Sequence, residues 1–386
     1  MSKIYADNAS TTKLSAGARR VLVESLDIYA NPSSIYADGA AANKELENAR
    51  ESVAKNLGAE FSREIYFTSG ATESCNWAAQ IAKNVGIRKN KRHIITSAIE
   101  HHAVLHSLEK LQEDGFEIDL IPVTSGGIID IEAFKSALRD DTVMASVMFV
   151  NNEIGTIQPV EKLGEICKTR GILFHTDATA AAGKIPINVQ VDNIDMLSIS
   201  AHKFHGPKGT GVFYCKKTVP MSALSHGGAQ ERGHRAGTEN LPAILSMAAA
   251  LDESILKIDA TQKHLAKLTA KLRTEIAKIS KTIFNGDETR QLPGFINCCF
   301  QAIEGESLLL LLDMAGIMAS SGSACTSGSL EPSHVLLALG LRHEIAHGSL
   351  RITLSDENTE DEIRQIAENL PKIVARLREM SPLWQG

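Results

Sequence analysis

Lys203 stands in the run Ser200-Ala201-His202-Lys203-Phe204-His205-Gly206-Pro207-Lys208-Gly209, a lysine between two histidines just before a Gly/Pro-rich turn. Upstream, Asp177 closes the short, mostly apolar run Gly171-Ile172-Leu173-Phe174-His175-Thr176. An acid at a strand end with a lysine farther along suits pyridoxal 5′-phosphate (PLP) chemistry. The lysine forms a Schiff base, and the acid pairs with the pyridinium nitrogen and keeps it protonated so that the ring accepts electrons. Taken alone, Lys203 reads more simply as a solvated loop lysine. It is the pair that points to PLP.

Ser69-Gly70-Ala71-Thr72-Glu73 lies between a predicted strand and a predicted helix. The glycine permits close backbone approach, and the first helical N–H groups face an anion. By itself the segment reads as a helix cap with Ser or Thr at the N-cap. With Ser200 and His202 beside Lys203, phosphate binding becomes the better reading. His101, after the strand at 93–96, suits stacking on the ring and proton transfer near neutral pH. A capping or solvated histidine is the alternative. Asn152, in Asn151-Asn152-Glu153-Ile154-Gly155, offers an amide to cofactor or substrate, or forms an Asx turn. Arg351, between Leu350 and Ile352 on a predicted strand, reads as a carboxylate clamp or as half of a structural ion pair.

Cys325 stands in Ala319-Ser320-Ser321-Gly322-Ser323-Ala324-Cys325-Thr326-Ser327-Gly328-Ser329. Single cysteines are mostly inert core residues. Its small polar neighbours instead suit a nucleophile on a mobile loop that reaches in, takes a group and carries it out. The loop ends near Pro332, which suits a first helical turn, in a helix that stops near Gly340. Cys75, Cys167, Cys215, Cys298 and Cys299 read as structural, the adjacent pair pointing to opposite faces of one strand. His175, Asp177, His202 and His205 would supply metal ligands, but their spacing is a weak zinc pattern and leaves Lys203 and Cys325 unused. No metal is expected.

Positioning these groups requires a large scaffold. A chain of 386 residues predicts two domains. With 40 basic and 46 acidic residues, the net charge of -6 argues against nucleic acid or a membrane surface as the main partner. Six cysteines without a C-x-x-C spacing, and no apolar signal region after Met1, predict a cytoplasmic protein with reduced thiols. From about residue 60 to 215 short β-rich runs (65–68, 93–96, 118–121, 143–147, 172–175, 196–199, 211–214) alternate with helical patterns. This predicts a mostly parallel sheet covered on both faces, with the site at the carboxyl ends of its strands. After Asn240 a long helical region to about Ile283, broken near Asp252 to Asp259, precedes strands at 295–300 and 350–354 and helices at 306–315 and 360–378. These form a smaller α+β domain, against which the first thirty-odd residues are expected to pack. The division is drawn as a large PLP-binding domain, 15–255, and a small domain, 1–14 and 256–386, carrying the mobile cysteine loop 318–333.

These pieces resemble the cysteine desulfurases of the NifS/IscS type, class-V relatives of the aminotransferases. The likeness runs through GATES at 70–74, EHHAV at 100–104, NNEIG at 151–155, HTDAT at 175–179, SAHKFHGPKGTG at 200–211, QERGHRAGTEN at 230–240, SSGSACTSGSLEPSHVL at 320–336 and HGSLRITLS at 347–355. The serine-rich segment around Cys325 resembles the long-loop subgroup. The resemblance implies the fold-type-I, aspartate-aminotransferase-like α/β architecture and conversion of L-cysteine to L-alanine with sulfur left on Cys325 as a persulfide. The sulfur then passes to an acceptor protein such as an iron–sulfur scaffold or a thiolation enzyme. It further implies Lys203 as the Schiff-base lysine and Asp177 as the pyridinium partner, with His101 stacked on the ring. Ala71, Thr72, Ser200, His202 and Asn152 then hold the cofactor, with Thr238 supplied by the other subunit of a homodimer. Asn31, Asn152 and Arg351 bind the substrate carboxylate. Two departures stand out. The family usually carries Gln three residues after the pyridinium acid, where this chain has Ala180. The end at Trp384-Gln385-Gly386 is shorter than in scaffold-docking members, which favours a specialised member. A selenocysteine lyase and a sulfur-relay protein with weak turnover are the competing readings.

Overall fold

The computed structural model describes residues 3–321 and 331–384. The chain opens with β1 (Ile4–Tyr5), α1 (Ala16–Ser25) and α2 (Ala37–Leu57). A βα alternation follows: β2 (Ile65–Thr68), α3 (Ala71–Lys89), β3 (His93–Ser97), α4 (His102–Gln112), β4 (Glu117–Ile121), α5 (Ile131–Ala137), β5 (Thr142–Ser146), α6 (Val160–Arg170) and β6 (Leu173–Asp177). β7 (Met196–Ser200) and β8 (Gly211–Cys215) complete it.

Among the described residues these strands form one seven-stranded sheet in the order β2-β8-β7-β6-β5-β3-β4. β4, β3, β5, β6 and β7 are mutually parallel, and β8 runs antiparallel to both β7 and β2. Helices cover both faces, so β3, β5 and β7 are buried along their whole length and read as unbroken apolar-rich runs, as parallel strands must, and the antiparallel β8 is buried in the same way. Only the edge strand β4 shows exposed residues. On one face, Trp77 of α3 stacks on Phe213 at 5.0 Å, meets Tyr66 edge-on at 5.3 Å and donates its indole N–H to the Ser222 carbonyl. Trp77→Ala should therefore cost about 3–5 kcal/mol, because the void cannot collapse between helix and sheet and the Ser222 carbonyl loses its partner. A urea denaturation series checks this.

The remainder is α7 (Leu241–Ile276), β9 (Thr282–Asn285), β10 (Phe295–Phe300), α8 (Gly305–Met314), β11 (Ile317–Met318), α9 (His334–Ala338), α10 (His343–Ala346), β12 (Ser349–Thr353) and α11 (Glu360–Met380). β12-β10-β9 is an antiparallel sheet, and β1 pairs with β11. Its core is Leu268 and Leu272 of α7, Leu308 and Leu312 of α8, Leu350 and Ile352, and Ile366 and Leu370 of α11.

Three expectations are corrected. The helical region after Asn240 has no break at 252–259, and α7 is one helix of 36 residues. The polar stretch has no Gly or Pro to interrupt it, and Asp252 is held at its side chain by Ser52 and Asn56. The boundary drawn at 255/256 thus falls inside a continuous helix whose first half packs in the large core and whose second half packs in the small one. Second, the N-terminal residues split. β1 joins β11 beside the small core, whereas α1 packs on α7 with Ala18 in the large core. Third, Pro332 precedes the helix start. Ser333 is the N-cap of α9, accepting from the N–H groups of Val335 and Leu336.

Candidate active site

The carboxyl ends of β2, β3, β5, β6 and β7 face a cavity of about 580 Å³. Each strand end delivers one group: Gly70 to Thr72 after β2, His101 after β3, Asn152 after β5, Asp177 at the end of β6, and Ser200 to Lys203 after β7. This is the carboxyl-end crevice of an open α/β sheet, with its groups set by strand length and register. Residues 9–11 close it from the N-terminal side. Tyr5 donates to the Thr11 carbonyl, and Thr12 donates from its backbone and hydroxyl to the His202 carbonyl.

Lys203 ends a single 3-10 turn. Its Nζ donates to the carbonyls of Ala9 (2.5 Å) and Ser10 (2.8 Å), which hold the amine at the cavity wall. Asp177 is buried, and its Oδ1 accepts from the Thr179 N–H at 2.9 Å. His101 is the N-cap of α4, its Nδ1 accepting from the Ala103 N–H at 3.0 Å. The capping reading and the site reading therefore hold together. With Nδ1 an acceptor, the neutral ring carries its proton on Nε2. Burial lowers the His101 pKa, the Lys203 charge adds to this, and Asp177 opposes it.

The other end of the cavity suits an anion. Gly70, not Ser69 or Thr72, is the N-cap of α3, at φ 152°. A Cβ there would lie 3.3 Å from Ser200 Oγ, so glycine opens the approach to the helix N-terminus. Ala71 and Thr72 form the first turn, and Glu73 is tied to the Ser69 N–H and to Arg235. His202 reaches Thr11 Oγ1 through Nδ1 at 3.2 Å, and burial with the nearby Lys203 pushes its pKa down to about 4. Lys184, Lys203, Lys208 and Arg351 line the cavity against the acids Asp177 and Glu73. The Thr179 hydroxyl is buried without a partner among the described residues. Helix N–H groups, hydroxyls and an excess of cations fit a phosphate-bearing cofactor, and Asp177 on the wall fits its pyridinium nitrogen.

Arg351 forms the structural ion pair expected of it and also faces the cavity. Its Nη2 donates to Asp7 Oδ1 (2.9 Å) and Ser10 Oγ (2.6 Å) while Nη1 donates to the Asn152 carbonyl (3.1 Å). Its Nε is buried without a partner among the described residues. Ala180 also lines the cavity. Asn31 and Thr238 do not. Asn31 is exposed and accepts from the Ser33 N–H, and Thr238 is exposed near the end of the 230–240 segment. That segment is held by Glu231, which is buried in a bidentate pair with Arg50. Cys325 lies outside the described residues. Its flanks are described: Ser320 bridges to Arg351 through two backbone hydrogen bonds, and Ser333 Oγ donates to Glu153 Oε2. Burial pushes the Glu153 carboxyl up to about 7.

Cys75, Cys167, Cys215, Cys298 and Cys299 are buried, and burial raises each thiol. Cys298 faces the small core and Cys299 a separate cluster with Ile154 and Leu336, on opposite faces of β10. Both ring nitrogens of His175 are used, by Ser146 and Ser198, which removes it as a ligand. The sequence reading gave no site role to Lys184, Lys208 or the 9–11 segment, although Lys208 lies inside the 200–211 motif.

The profile of the aminotransferase class-V family matches residues 4–366. The cysteine desulfurase IscS of Methanosarcina thermophila is 49% identical over 385 residues, covering 98% of this chain and 94% of that protein. The cysteine desulfurase IscS of Clostridium botulinum (strain Hall) is 46% identical over 392 residues, covering 99% and 97%. A solved NifS-like protein superposes with a TM-score of 0.91 at 38% identity, covering 97% of this chain and all of the other. With the family profile spanning nearly the whole chain, the chain belongs to the aminotransferase class-V family.

Proposed function

We propose that the front cavity holds PLP and that the chain works as a cysteine desulfurase, taking L-cysteine to L-alanine and the sulfur to Cys325. The observation that carries this reading is the meeting of Asp177, His101 and Lys203 at the strand ends of one cation-rich cavity beside the α3 N-terminus. PLP, when bound, supplies the electron sink for the substrate Cα. Gly70 to Thr72, Ser200 and His202 would hold the phosphate, and Asp177 would pair with the ring nitrogen. Lys203 would carry the cofactor and then take the substrate Cα proton on Nζ. His101, with its proton on Nε2, would pack against the cofactor. Arg351 and Asn152 orient the substrate carboxylate. Cys325 attacks the substrate sulfur: the S–S bond forms as Cβ–S breaks, and Cβ gains a proton. Cysteine and a thiol thus become alanine and a persulfide.

An acceptor protein, such as an iron–sulfur scaffold, then receives the sulfur. A homodimer suits the exposed apolar side chains Val23, Leu26, Tyr29, Ile35 and Tyr36, which flank Asn31 in sequence, and the exposed Thr238. Free buried cysteines support a cytoplasmic location. No helix among the described residues is long and apolar enough to cross a membrane. Purified protein given PLP, L-cysteine and a thiol reductant should release alanine and sulfide in equal amounts. A PLP-loaded protein that forms no alanine would overturn the reading.

A further inference from the structure

Behind Lys203 lies a second cavity, of about 400 Å³, between α7 and the segment after β12. Lys184 and Lys203 line both cavities. The backbone at Lys184 is firmly placed. Gly183, at φ 71°, lies so close to Phe204 and Ser254 that a Cβ would come within 2.8 Å of each, and the Lys184 carbonyl accepts from Gln262 Nε2 at 2.7 Å. The amine is not matched by the protein. Among the described residues it has no hydrogen bond or ion pair, and its one close polar contact is the Phe295 ring at 5.9 Å, near the outer limit of a cation–π interaction.

The groups facing Lys184 are of both signs. From the front come the cations Lys203, Lys208 and Arg351, the acids Asp177 and Glu73, and the imidazoles of His101 and His202. From the rear cavity come Lys257 and His205, with the acids Glu253, Asp356 and Glu357 on its wall. Burial first, then Lys203 and Arg351, push the Lys184 amine down to about 7. A half-buried amine that forms no ion pair among the described residues, on the wall of a cavity where Lys203 and Arg351 disfavour its charge, is suited to meet an anion that enters that cavity. Arg351 has little of its guanidinium left for such an anion, since Asp7, Ser10 and Asn152 already take most of it.

We propose that Lys184 is a further substrate-positioning residue, whose amine takes up a proton as the carboxylate of the amino-acid substrate enters and shares that carboxylate with Arg351. The inference rests on the functional reading above. The sign follows from linkage. The amine is partly neutral when the site is empty and charged when the carboxylate is bound, so binding consumes a proton. Affinity then weakens as pH rises above about 7, and it levels off below that value.

L-Alanine, which carries no sulfur to transfer, is the probe. Its binding to the PLP-loaded enzyme is followed by the cofactor's absorbance and by calorimetry in two buffers of different ionisation enthalpy. Lys184→Met should bind alanine roughly ten- to a hundredfold more weakly at pH 7. It should also lose ~half a proton or more of the uptake seen in the parent at pH 8. Lys184→Arg, charged throughout, should restore affinity without restoring proton uptake, and its affinity should change less with pH. A structural role would give no such split between the two variants. Equal affinity and uptake in parent and Lys184→Met would overturn the inference, as would a Lys184→Arg variant as weak as Lys184→Met while still holding PLP. If the PLP-loaded parent binds no alanine, the functional reading itself fails, a result distinct from either of these.

Discussion

Lys203→Ala should lose turnover by on the order of 10³–10⁴-fold, because one amine both anchors the cofactor and moves the Cα proton. The rest of the cavity should survive the change. The proposed phosphate end consists of the α3 N-terminus, Ser200 and His202, none of which depends on the Lys203 side chain. The variant should therefore retain PLP that dialysis removes, whereas borohydride should fix the cofactor in the parent to the peptide carrying Lys203. Labelling at another lysine, Lys184 included, would sink the assignment. The two hydrogen bonds from Lys203 Nζ to Ala9 and Ser10 introduce a structural effect that must be separated. Lys203→Gln keeps a donor for those carbonyls and should be equally inactive. Restored activity in Lys203→Gln would show that the 9–10 segment, not the amine, was the cause.

Cys325→Ser should lose sulfur release by on the order of 10³-fold or more, as with the loss of other covalent nucleophiles. A hydroxyl is not ionised near neutral pH and attacks sulfur poorly, whereas a thiolate does so readily. The early events should remain, since Lys203, His101 and Asp177 all come from the strand ends of the central sheet. Adding cysteine to this variant should change the cofactor spectrum as in the parent while alanine stays near background. Unchanged alanine formation would remove Cys325 from the reaction. The five described cysteines make poor substitutes. Each is buried, and burial raises each thiol, Cys299 to about 11.

Much of the candidate site was legible because its residues sit at strand ends. Period-two and continuous apolar runs marked β3, β6 and β7 within a residue or two, so the residues following them had to gather at one edge of the sheet. His101 was legible in both of its roles, and one geometry satisfies both: it caps α4 and faces the cavity. The 252–259 region misled because polar composition resembles a break, although only Gly, Pro or inserted groups break a helix. Packing of α1, α2 and α11 against α7 keeps that helix whole. The direction of β8 was equally illegible, since an apolar strand reads the same in both directions.

Local chemistry and periodicity, which depend only on neighbours in the chain, determined the alternation of elements, the strand-end positions of Asp177 and Lys203, and the small polar surroundings of Cys325. Charge compensation was decided by the tertiary structure. Arg351 finds Asp7 at the far end of the chain, and Glu153 finds Ser333. Lys184 finds the charges of Lys203 and Arg351 and, among the described residues, no ion-pair partner. Coulomb and desolvation energies depend on distance and burial in space, and nothing in the residues flanking Lys184 marks how far it lies from a counter-ion or from water.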